Sequence, residues 1–213
     1  TPRDERTVDE LTRELTRSRG VALERLVEQL SDDDRTGVVR AVAQARAREL
    51  ARKGELSRLQ RLYRLETQLR SEGYSVVAGI DEVGRGALAG PLTSCACVLP
   101  PLPHIEGLDD SKRLSPGRRA EIAEQIRTIA ICWSIGHVTP AEIDALGMTA
   151  ALHRSMGRAL AGLCPHADHV IVDGLPVGVY EHETAVVKGD ARVAAVAAAS
   201  ILAKVERDGL MVS

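Results

Sequence analysis

The spacing of the hydrophobic positions changes near residue 73. Before that point, apolar side chains recur three or four residues apart, as on one face of an α-helix, for example at Leu23, Leu26 and Val27. The last such pattern stops close to Gly73, and glycine commonly follows the end of a helix. Residues 1–72 are therefore predicted to form a small module made only of helices.

After residue 73, short β-branched runs alternate with helical patterns. Strands are predicted at 74–81, 92–99, 130–138, 169–172 and 184–188, and helices at 116–129, 140–147, 149–163 and 192–208. Ser115-Pro116 opens one helix, and Pro100 closes the second strand. Alternating strands and helices predict an α/β domain of residues 73–213, with a central sheet between helices.

The composition is that of a globular protein with an aliphatic core. Of the 213 residues, 44% are hydrophobic and only 2% aromatic, with no Phe, so Val, Leu, Ile and Ala must fill the interior. No apolar stretch approaches the roughly 20 residues that cross a bilayer. The N-terminus also lacks the basic-then-apolar order of a signal peptide. We therefore expect a cytoplasmic protein without a membrane partner.

The four cysteines are Cys95, Cys97, Cys132 and Cys164, and no two of them form a Cys-x-x-Cys pair. In a reducing compartment, such residues are usually small buried thiols, and we expect that role for them. A zinc site made by the four side chains is the alternative.

Positive charge is concentrated in one part of the helical module. The whole chain has a formal net charge of −2, but residues 35–70 contain 10 Lys and Arg against 3 Asp and Glu, a difference of +7. A local excess of this size attracts polyanions. It favours a nucleic-acid clamp, and the alternative is a module for oligomerisation or packing.

Three acidic positions share one context, in which an apolar run ends, an acidic residue follows and glycine is close. They are Asp81-Glu82 after VVAGI, Asp173 in VIVDG and Asp190 in VVKGD. The ends of neighbouring strands meet at one edge of a sheet, so these carboxylates are expected close together. Like charges at short distance need a cation between them. Oxygen ligands without His or Cys suit Mg²⁺ or Mn²⁺ better than zinc, so the pattern predicts a divalent-metal site.

Each acidic residue also fits a simpler role. Asp190 precedes a predicted helix and suits an N-cap. Asp173 stands before Gly174, as in a turn, and Glu82 suits a solvated charge at a strand end. The repetition of one context at separate positions favours the metal site over three unrelated roles.

The glycines after the first strand suggest a second function. Gly84, Gly86 and Ala89 satisfy the loose G-x-G-x-x-G/A pattern of a dinucleotide-binding turn. Asp81 and Glu82 would then lie beside a pyrophosphate and repel it, and no acidic ribose partner follows the second strand. The metal site is therefore the preferred interpretation.

Four separated motifs carry a resemblance to a known family. GIDEVGRGALAGPL, DSKRLSPGRR, VIVDG and VVKGDARVAAVAAASILAKVERD follow one another as in bacterial ribonuclease HII, which the chain resembles from Gly73 to Asp208. ELSRLQRLYRLETQLRSEGY also resembles the helical extension of some members, which implies a part in holding substrate. The resemblance implies a ribonuclease H type fold, a mixed five-stranded sheet flanked by helices, after a basic substrate-binding module.

The same resemblance implies an endonuclease that cuts RNA in RNA/DNA hybrids and nicks duplex DNA on the 5′ side of an embedded ribonucleotide, leaving 5′-phosphates. Its catalytic and metal-binding carboxylates map by motif onto Asp81, Glu82, Asp173 and Asp190. Two Mg²⁺ or Mn²⁺ ions would bridge the scissile phosphate, one activating a water and the other stabilising the departing 3′ oxygen. One site per chain implies a monomer.

The family also implies substrate contacts in two loops. The turn Gly84-Arg85-Gly86 is expected at the ribose 2′-hydroxyl, where glycine lets the main chain come close. A tight strand-to-loop turn is the alternative. Lys112 in DSK is expected at a phosphate, with a solvated loop charge as the alternative.

A polar stripe on the last predicted helix suggests further contacts. Ser200, Lys204 and Asp208 follow one another at helical spacing, opposite small apolar residues. The family uses this region near the nucleic-acid backbone, so Ser200 and Lys204 are expected at phosphates. Asp208 suits a supporting pair with Lys204.

The resemblance fails at the end of the chain. Members of the family continue beyond the RD motif with further helices and a tyrosine that packs against the nucleotide after the ribose. Here the sequence stops at Ser213, and its tyrosines, Tyr63, Tyr74 and Tyr180, all precede Asp208. We therefore expect a catalytic domain without its C-terminal segment. A nucleic-acid-binding remnant with weak or no catalysis is the alternative to an active nuclease.

Overall fold

The computed structural model of the chain describes residues 5–87, 89–102 and 104–212. In these residues the chain forms eight α-helices and five β-strands. It divides into two compact units, Thr1–Arg58 and Leu59–Ser213. Within the described ranges, no helix is both long and apolar enough to cross a membrane.

The first unit is made of helices. They are α1 (Val8–Arg17), α2 (Gly20–Gln29) and α3 (Thr36–Leu62), whose last residues belong to the second unit. Thr7 begins α1 with a capping box that it shares with Glu10. Leucine, valine and alanine side chains make the core: Leu11, Leu15, Leu23, Leu26, Val27, Leu30, Val38, Ala41 and Ala45. The predicted helical character of the N-terminal residues is confirmed.

The second unit contains a mixed sheet. Its elements are α4 (Arg64–Ser71), β1 (Val77–Val83), β2 (Leu92–Val98), α5 (Pro116–Ile129), β3 (Cys132–Val138), α6 (Pro140–Leu146), α7 (Met148–Ala161), β4 (His169–Asp173), β5 (Glu183–Val186), a 3-10 turn (Gly189–Ala191) and α8 (Ala194–Val212). The strand order is β3-β2-β1-β4-β5. β2 runs antiparallel to β1 and β3, whereas β4 runs parallel to β1 and β5. The predicted fold class, a mixed five-stranded sheet flanked by helices, is confirmed.

Helices cover both faces of this sheet. Cys95 of β2 packs on the side of α5 and α8, and its neighbour Ala96 packs on the side of α7. Gly79 lets α8 lie directly on β1, because a Cβ at this position would overlap the main chain of Ala195. This close approach brings α8 alongside the part of β1 where Asp81 follows.

Several element boundaries differ from the prediction, most of them by one or two residues. β1 begins at Val77 rather than at 74. The N–H groups of Ser75 and Val76 instead donate to the carboxylate of Asp168, each at 2.9 Å. α8 begins at Ala194 rather than at 192, because the chain first forms the 3-10 turn.

The cysteines do not share one environment. Cys95 and Cys97 are buried, Cys132 is half-buried and Cys164 is exposed, and all four are free thiols. The expectation of a buried thiol is wrong for Cys164. This residue lies in the turn after α7 rather than in an element that packs on the sheet.

Candidate active site

Asp81 is the most deeply buried acid at the end of β1. Only 6% of its surface is exposed, its carboxylate accepts a hydrogen bond from the N–H of Glu82 at 2.7 Å, and the Ser200 hydroxyl is close enough to affect its pKa. Burial raises the pKa of Asp81 to about 8. The Ser200 hydrogen bond opposes this shift, and the negative charges of Glu82 and Asp173 add to it. The fold therefore holds Asp81 where a negative charge is unfavourable.

Asp173 reaches the same region from β4. The parallel register pairs Ile80 with Val172, so Asp81 and Asp173 follow directly on paired residues of neighbouring strands. Oδ1 of Asp173 accepts a hydrogen bond from the N–H of Gly189 at 2.6 Å. This contact joins the end of β4 to the 3-10 turn before α8.

Asp190 lies within that 3-10 turn and is 5% exposed. Its Oδ2 accepts a hydrogen bond from Nζ of Lys112 at 3.0 Å. Because α8 starts only at Ala194, Asp190 does not cap this helix, and the simpler interpretation of Asp190 as an N-cap is excluded.

The carboxylates influence one another through their charges. Burial raises the pKa of Glu82, and the charge of Asp173 adds to the shift. The hydrogen bond to Asp190 raises the pKa of the Lys112 ammonium, and the charge of Asp81 contributes. Asp81, Glu82 and Asp173 thus influence one another through their charges, and Lys112 joins Asp190 to this region.

The donor chemistry of this group fits a hard divalent cation. All four side chains offer carboxylate oxygens, and the raised pKa of Asp81 marks a poorly hydrated place where a cation would relieve repulsion. Among the described residues, however, no three Asp, Glu, His or Cys side chains are grouped as a ready-made metal site. The Lys112 ammonium and the Gly189 N–H already satisfy oxygens of Asp190 and Asp173. Metal binding would therefore exchange some of these partners for the ion.

The glycine turn follows β1. Gly84 has φ +101°, a conformation that favours glycine, and a Cβ there would come 2.6 Å from Nε of Arg207. Gly86 has open space where its side chain would be. Arg85 is exposed, and its Nη1 lies 3.7 Å from Oε1 of Glu82. The turn therefore offers accessible main chain and a cation next to the carboxylates.

Ser200 and Lys204 occupy different environments on α8. Ser200 is buried, and its hydroxyl contacts Ser111 Oγ at 3.0 Å as well as Asp81. Lys204 is partly exposed and donates to Oδ1 of Asp208 at 2.6 Å, the pairing that the sequence suggested. Lys204 therefore reaches the surface, whereas Ser200 contacts a predicted catalytic carboxylate from inside.

Two arginines that were not among the predicted site residues bind loops in this region. Arg207 of α8 donates to the main-chain carbonyls of Ala89 and Pro91. Arg119 of α5 donates to two carbonyls of the loop that contains Lys112. The sequence signal for Arg207 is a long cation on a helix of mostly small, apolar residues.

Comparison with known proteins identifies relatives of both parts of the chain. Residues 78–213 match the family model described as Ribonuclease HII, and residues 7–70 match the model of the Ribonuclease HII N-terminal domain. Ribonuclease HII from Shouchella clausii is 39% identical over 185 residues, which cover 87% of this chain and 71% of the relative. Ribonuclease HII from Moorella thermoacetica is 48% identical over 149 residues, covering 70% of this chain and 72% of the relative. Among solved structures, ribonuclease H2 from Pyrococcus horikoshii OT3 matches with a TM-score of 0.57 at 33% identity, covering 64% of this chain and 74% of that one.

Proposed function

Because this chain belongs to the ribonuclease HII family and is a ribonuclease H, we propose that it cuts RNA in RNA/DNA hybrids and nicks duplex DNA on the 5′ side of embedded ribonucleotides. One observation carries this proposal: Asp81 and Asp173 follow directly on paired residues of β1 and β4, Glu82 is next to Asp81, and Lys112 reaches from this region to Asp190. Hydrolysis of a phosphodiester needs concentrated positive charge at the phosphate, and carboxylates placed in this way are suited to hold it.

We propose that two divalent ions, Mg²⁺ or Mn²⁺, are held by four carboxylates: Asp81, Glu82, Asp173 and Asp190. When bound, the ions would supply activation of the attacking water and stabilisation of the charge on the departing 3′ oxygen. The residues of the chain prepare this site. Ser200 orients the carboxylate of Asp81, the Gly189 N–H orients that of Asp173, and Lys112 compensates the charge of Asp190.

The substrate contacts are proposed from exposure and charge. The turn Gly84-Arg85-Gly86 is proposed to face the ribose 2′-hydroxyl, since Gly86 borders open space and Arg85 is exposed. Lys112 and Lys204 are the proposed phosphate contacts, since both ammonium groups reach solvent. Ser200 was predicted at a phosphate as well, but its burial favours a part in orienting Asp81 instead.

The helical residues 1–72 are proposed to be a basic extension that holds the duplex for the catalytic residues 73–213. The excess of +7, from 10 basic and 3 acidic residues between positions 35 and 70, supports this assignment. Two of those acidic residues, Glu49 and Glu55, pair with basic residues within α3 itself. All four carboxylates come from one chain, so we propose a monomer, and we propose that it acts in the cytoplasm.

The test uses the full chain with three labelled duplexes and Mg²⁺ or Mn²⁺. The duplexes are an RNA/DNA hybrid, DNA with one ribonucleotide, and DNA alone. We expect cleavage of the first two and not of the third, and no cleavage by Asp81→Asn. Salt-sensitive binding without cleavage would favour the alternative of a nucleic-acid-binding remnant. A chain that neither cleaves nor binds these duplexes would contradict both the nuclease and the nucleic-acid-binding remnant.

A further inference from the structure

Arg207 is a buried cation whose described hydrogen bonds run to the main chain. Only 8% of the residue is exposed. Nε donates to the carbonyl of Pro91 at 2.9 Å, and Nη2 donates to the carbonyl of Ala89 at 2.8 Å. Both carbonyls belong to the connection from β1 to β2, whose described residues 84–87 and 89–91 are called the glycine loop below. A buried guanidinium needs such partners, because an unpaired charge in the interior is strongly unfavourable.

Two glycines of this loop make room for the guanidinium. A Cβ at Gly84 would come 2.6 Å from Nε of Arg207, and a Cβ at Gly90 would come 3.2 Å from Nη2. Both glycines have positive φ, +101° and +88° respectively. Both ends of the glycine loop therefore lie against the guanidinium. The two glycines there adopt a conformation that residues other than glycine rarely adopt.

The shape of the arginine side chain explains why it suits this place. A guanidinium is planar and presents several N–H donors in a fixed fork, so it reaches two carbonyls at once. A lysine ammonium is a single point charge on a flexible stem and would orient the loop less strictly. The same helix carries Ser200, whose hydroxyl contacts Asp81. α8 therefore contacts both the glycine loop and a carboxylate of the proposed active site.

We infer that Arg207 is a positioning residue, whose guanidinium fixes the glycine loop and thereby sets where Arg85 and Gly86 stand relative to Asp81 and Glu82. Its effect on cleavage rests on the proposed function. Its effect on the loop does not, since the hydrogen bonds belong to the folded chain alone.

Arg119 provides a matched comparison within the same protein. Its Nε donates to the carbonyl of Ser111 at 2.9 Å, and its Nη2 donates to that of Leu114 at 3.0 Å. Its side chain is 12% exposed. Arg119 thus binds the loop around Lys112 as Arg207 binds the glycine loop. Each loop also contains its own site for trypsin, after Arg85 in one and after Lys112 or Arg113 in the other.

The first experiment measures trypsin cleavage of each loop by mass spectrometry. It compares the native chain with Arg207→Met, Arg207→Lys and Arg119→Met, at a temperature where circular dichroism shows that all are folded. We expect Arg207→Met to speed cleavage after Arg85 by about tenfold or more, because local loosening exposes the loop to protease. Cleavage after Lys112 and Arg113 should stay at the native rate. Arg119→Met should give the opposite pattern, and Arg207→Lys an intermediate rate after Arg85.

Two results would overturn the inference. One is an unchanged rate of cleavage after Arg85 in Arg207→Met. The other is equal acceleration at both loops in both arginine variants, which would mean that each arginine stabilises the domain as a whole. Neither result depends on whether the protein cleaves nucleic acid.

The second experiment measures cleavage of a duplex with a single ribonucleotide. A misplaced loop should lower kcat of Arg207→Met by about tenfold or more while KM changes little, because small errors of position slow chemistry more than binding. Arg207→Lys should recover part of kcat. A rise in KM alone, or a lysine variant no better than the methionine variant, would contradict a positioning role. If the native chain does not cleave, the proposed function fails and the trypsin result still decides the role of Arg207.

Discussion

The ammonium of Lys112 lies 3.0 Å from Oδ2 of Asp190, a residue 78 positions further along the chain. The Lys112 side chain is 77% exposed, whereas that of Asp190 is 7% exposed. Lys112 thus reaches in from solvent and meets a buried carboxylate. It therefore places a positive charge beside a carboxylate oxygen for which we propose a divalent ion.

Replacing Lys112 should affect metal binding and cleavage in opposite directions. In Lys112→Gln, the metal no longer competes with an ammonium for Asp190, so Mn²⁺ should bind about twofold to fivefold more tightly, as expected for an ion pair with an exposed partner. Cleavage should become slower because the proposed phosphate contact is lost. Isothermal titration with Mn²⁺ and a cleavage assay measure the two effects.

Arg113→Gln is the matched control for Lys112→Gln. Arg113 is exposed on the same loop, but its Nη1 lies 3.3 Å from Asp109 rather than beside Asp190. We expect Mn²⁺ affinity close to the native value in this variant. If Lys112→Gln behaves like Arg113→Gln in both assays, Lys112 is a solvated loop charge, as the alternative interpretation holds.

Asp81→Asn should stabilise the protein when metal is absent. Burial raises the pKa of Asp81 from its ordinary value of 3.8 to about 8, so the folded chain keeps a proton that the unfolded chain releases. The native chain must therefore lose stability as the pH rises from about 4 through about 8. In EDTA near pH 8, the free energy of unfolding of Asp81→Asn should exceed that of the native chain by about 1 kcal/mol or more, since one pKa unit corresponds to about 1.4 kcal/mol. Thermal unfolding across this pH range measures the difference.

Mn²⁺ should stabilise the native chain more than it stabilises Asp81→Asn. A cation bound at the carboxylates compensates the charge of Asp81, so the melting temperature of the native chain should rise with Mn²⁺ more than that of Asp81→Asn. Parallel pH profiles of the two proteins in EDTA, together with equal responses to Mn²⁺, would contradict this account of Asp81.

Ser200→Ala should lower both stability and activity. Its hydroxyl contacts Ser111 Oγ at 3.0 Å and also the Asp81 carboxylate, so its loss should lower the free energy of unfolding by about 1 kcal/mol. Asp81 also loses a partner that orients it, so cleavage should slow. Urea denaturation and initial rates measure the two changes.

A second buried serine pair separates these two effects. Ser155 Oγ lies 2.7 Å from Ser94 Oγ, between α7 and β2 on the other face of the sheet. Ser155→Ala should cost a similar free energy of unfolding, about 1 kcal/mol, and leave the cleavage rate at the native level. If both serine variants lose activity equally, Ser200 acts through stability alone.

Alanine should affect stability at Gly79 and activity at Gly86. At Gly79 a Cβ would overlap the main chain of Ala195 and Val196, so Gly79→Ala should destabilise the domain by about 3 kcal/mol or more. At Gly86 a Cβ meets open space, so Gly86→Ala should fold normally and yet cleave more slowly if the ribose approaches there. Chemical denaturation and cleavage assays of both variants measure this contrast. Native activity in Gly86→Ala would argue against a substrate contact at this turn.

The sequence predicted the second unit well where local pattern decides structure. Short β-branched and apolar runs located all five strands, and Ser115 caps α5 as expected from Ser115-Pro116. The acid near the end of an apolar run also predicted acids at one edge of the sheet, and Asp81 and Asp173 do follow directly on paired residues of β1 and β4.

What the sequence could not predict depends on contacts between distant residues. The pairing of Lys112 with Asp190, and the hydrogen bonds of Arg207 to a loop more than 100 positions earlier, leave no local pattern. The burial of Ser200 follows from the close approach of α8 to β1, which needs Gly79. Cys164 is exposed because its turn lies outside the packed elements, and composition alone does not show this.

The most direct test of the central claim is product analysis on a DNA duplex with one ribonucleotide, incubated with the full chain and Mn²⁺. The proposed function predicts a single nick on the 5′ side of the ribonucleotide, with a 5′-phosphate at the ribonucleotide and a 3′-hydroxyl on the upstream strand. The nick should be absent with EDTA and with Asp190→Asn. A folded chain that binds the duplex and leaves it intact would contradict the claim, as would cleavage that persists in EDTA.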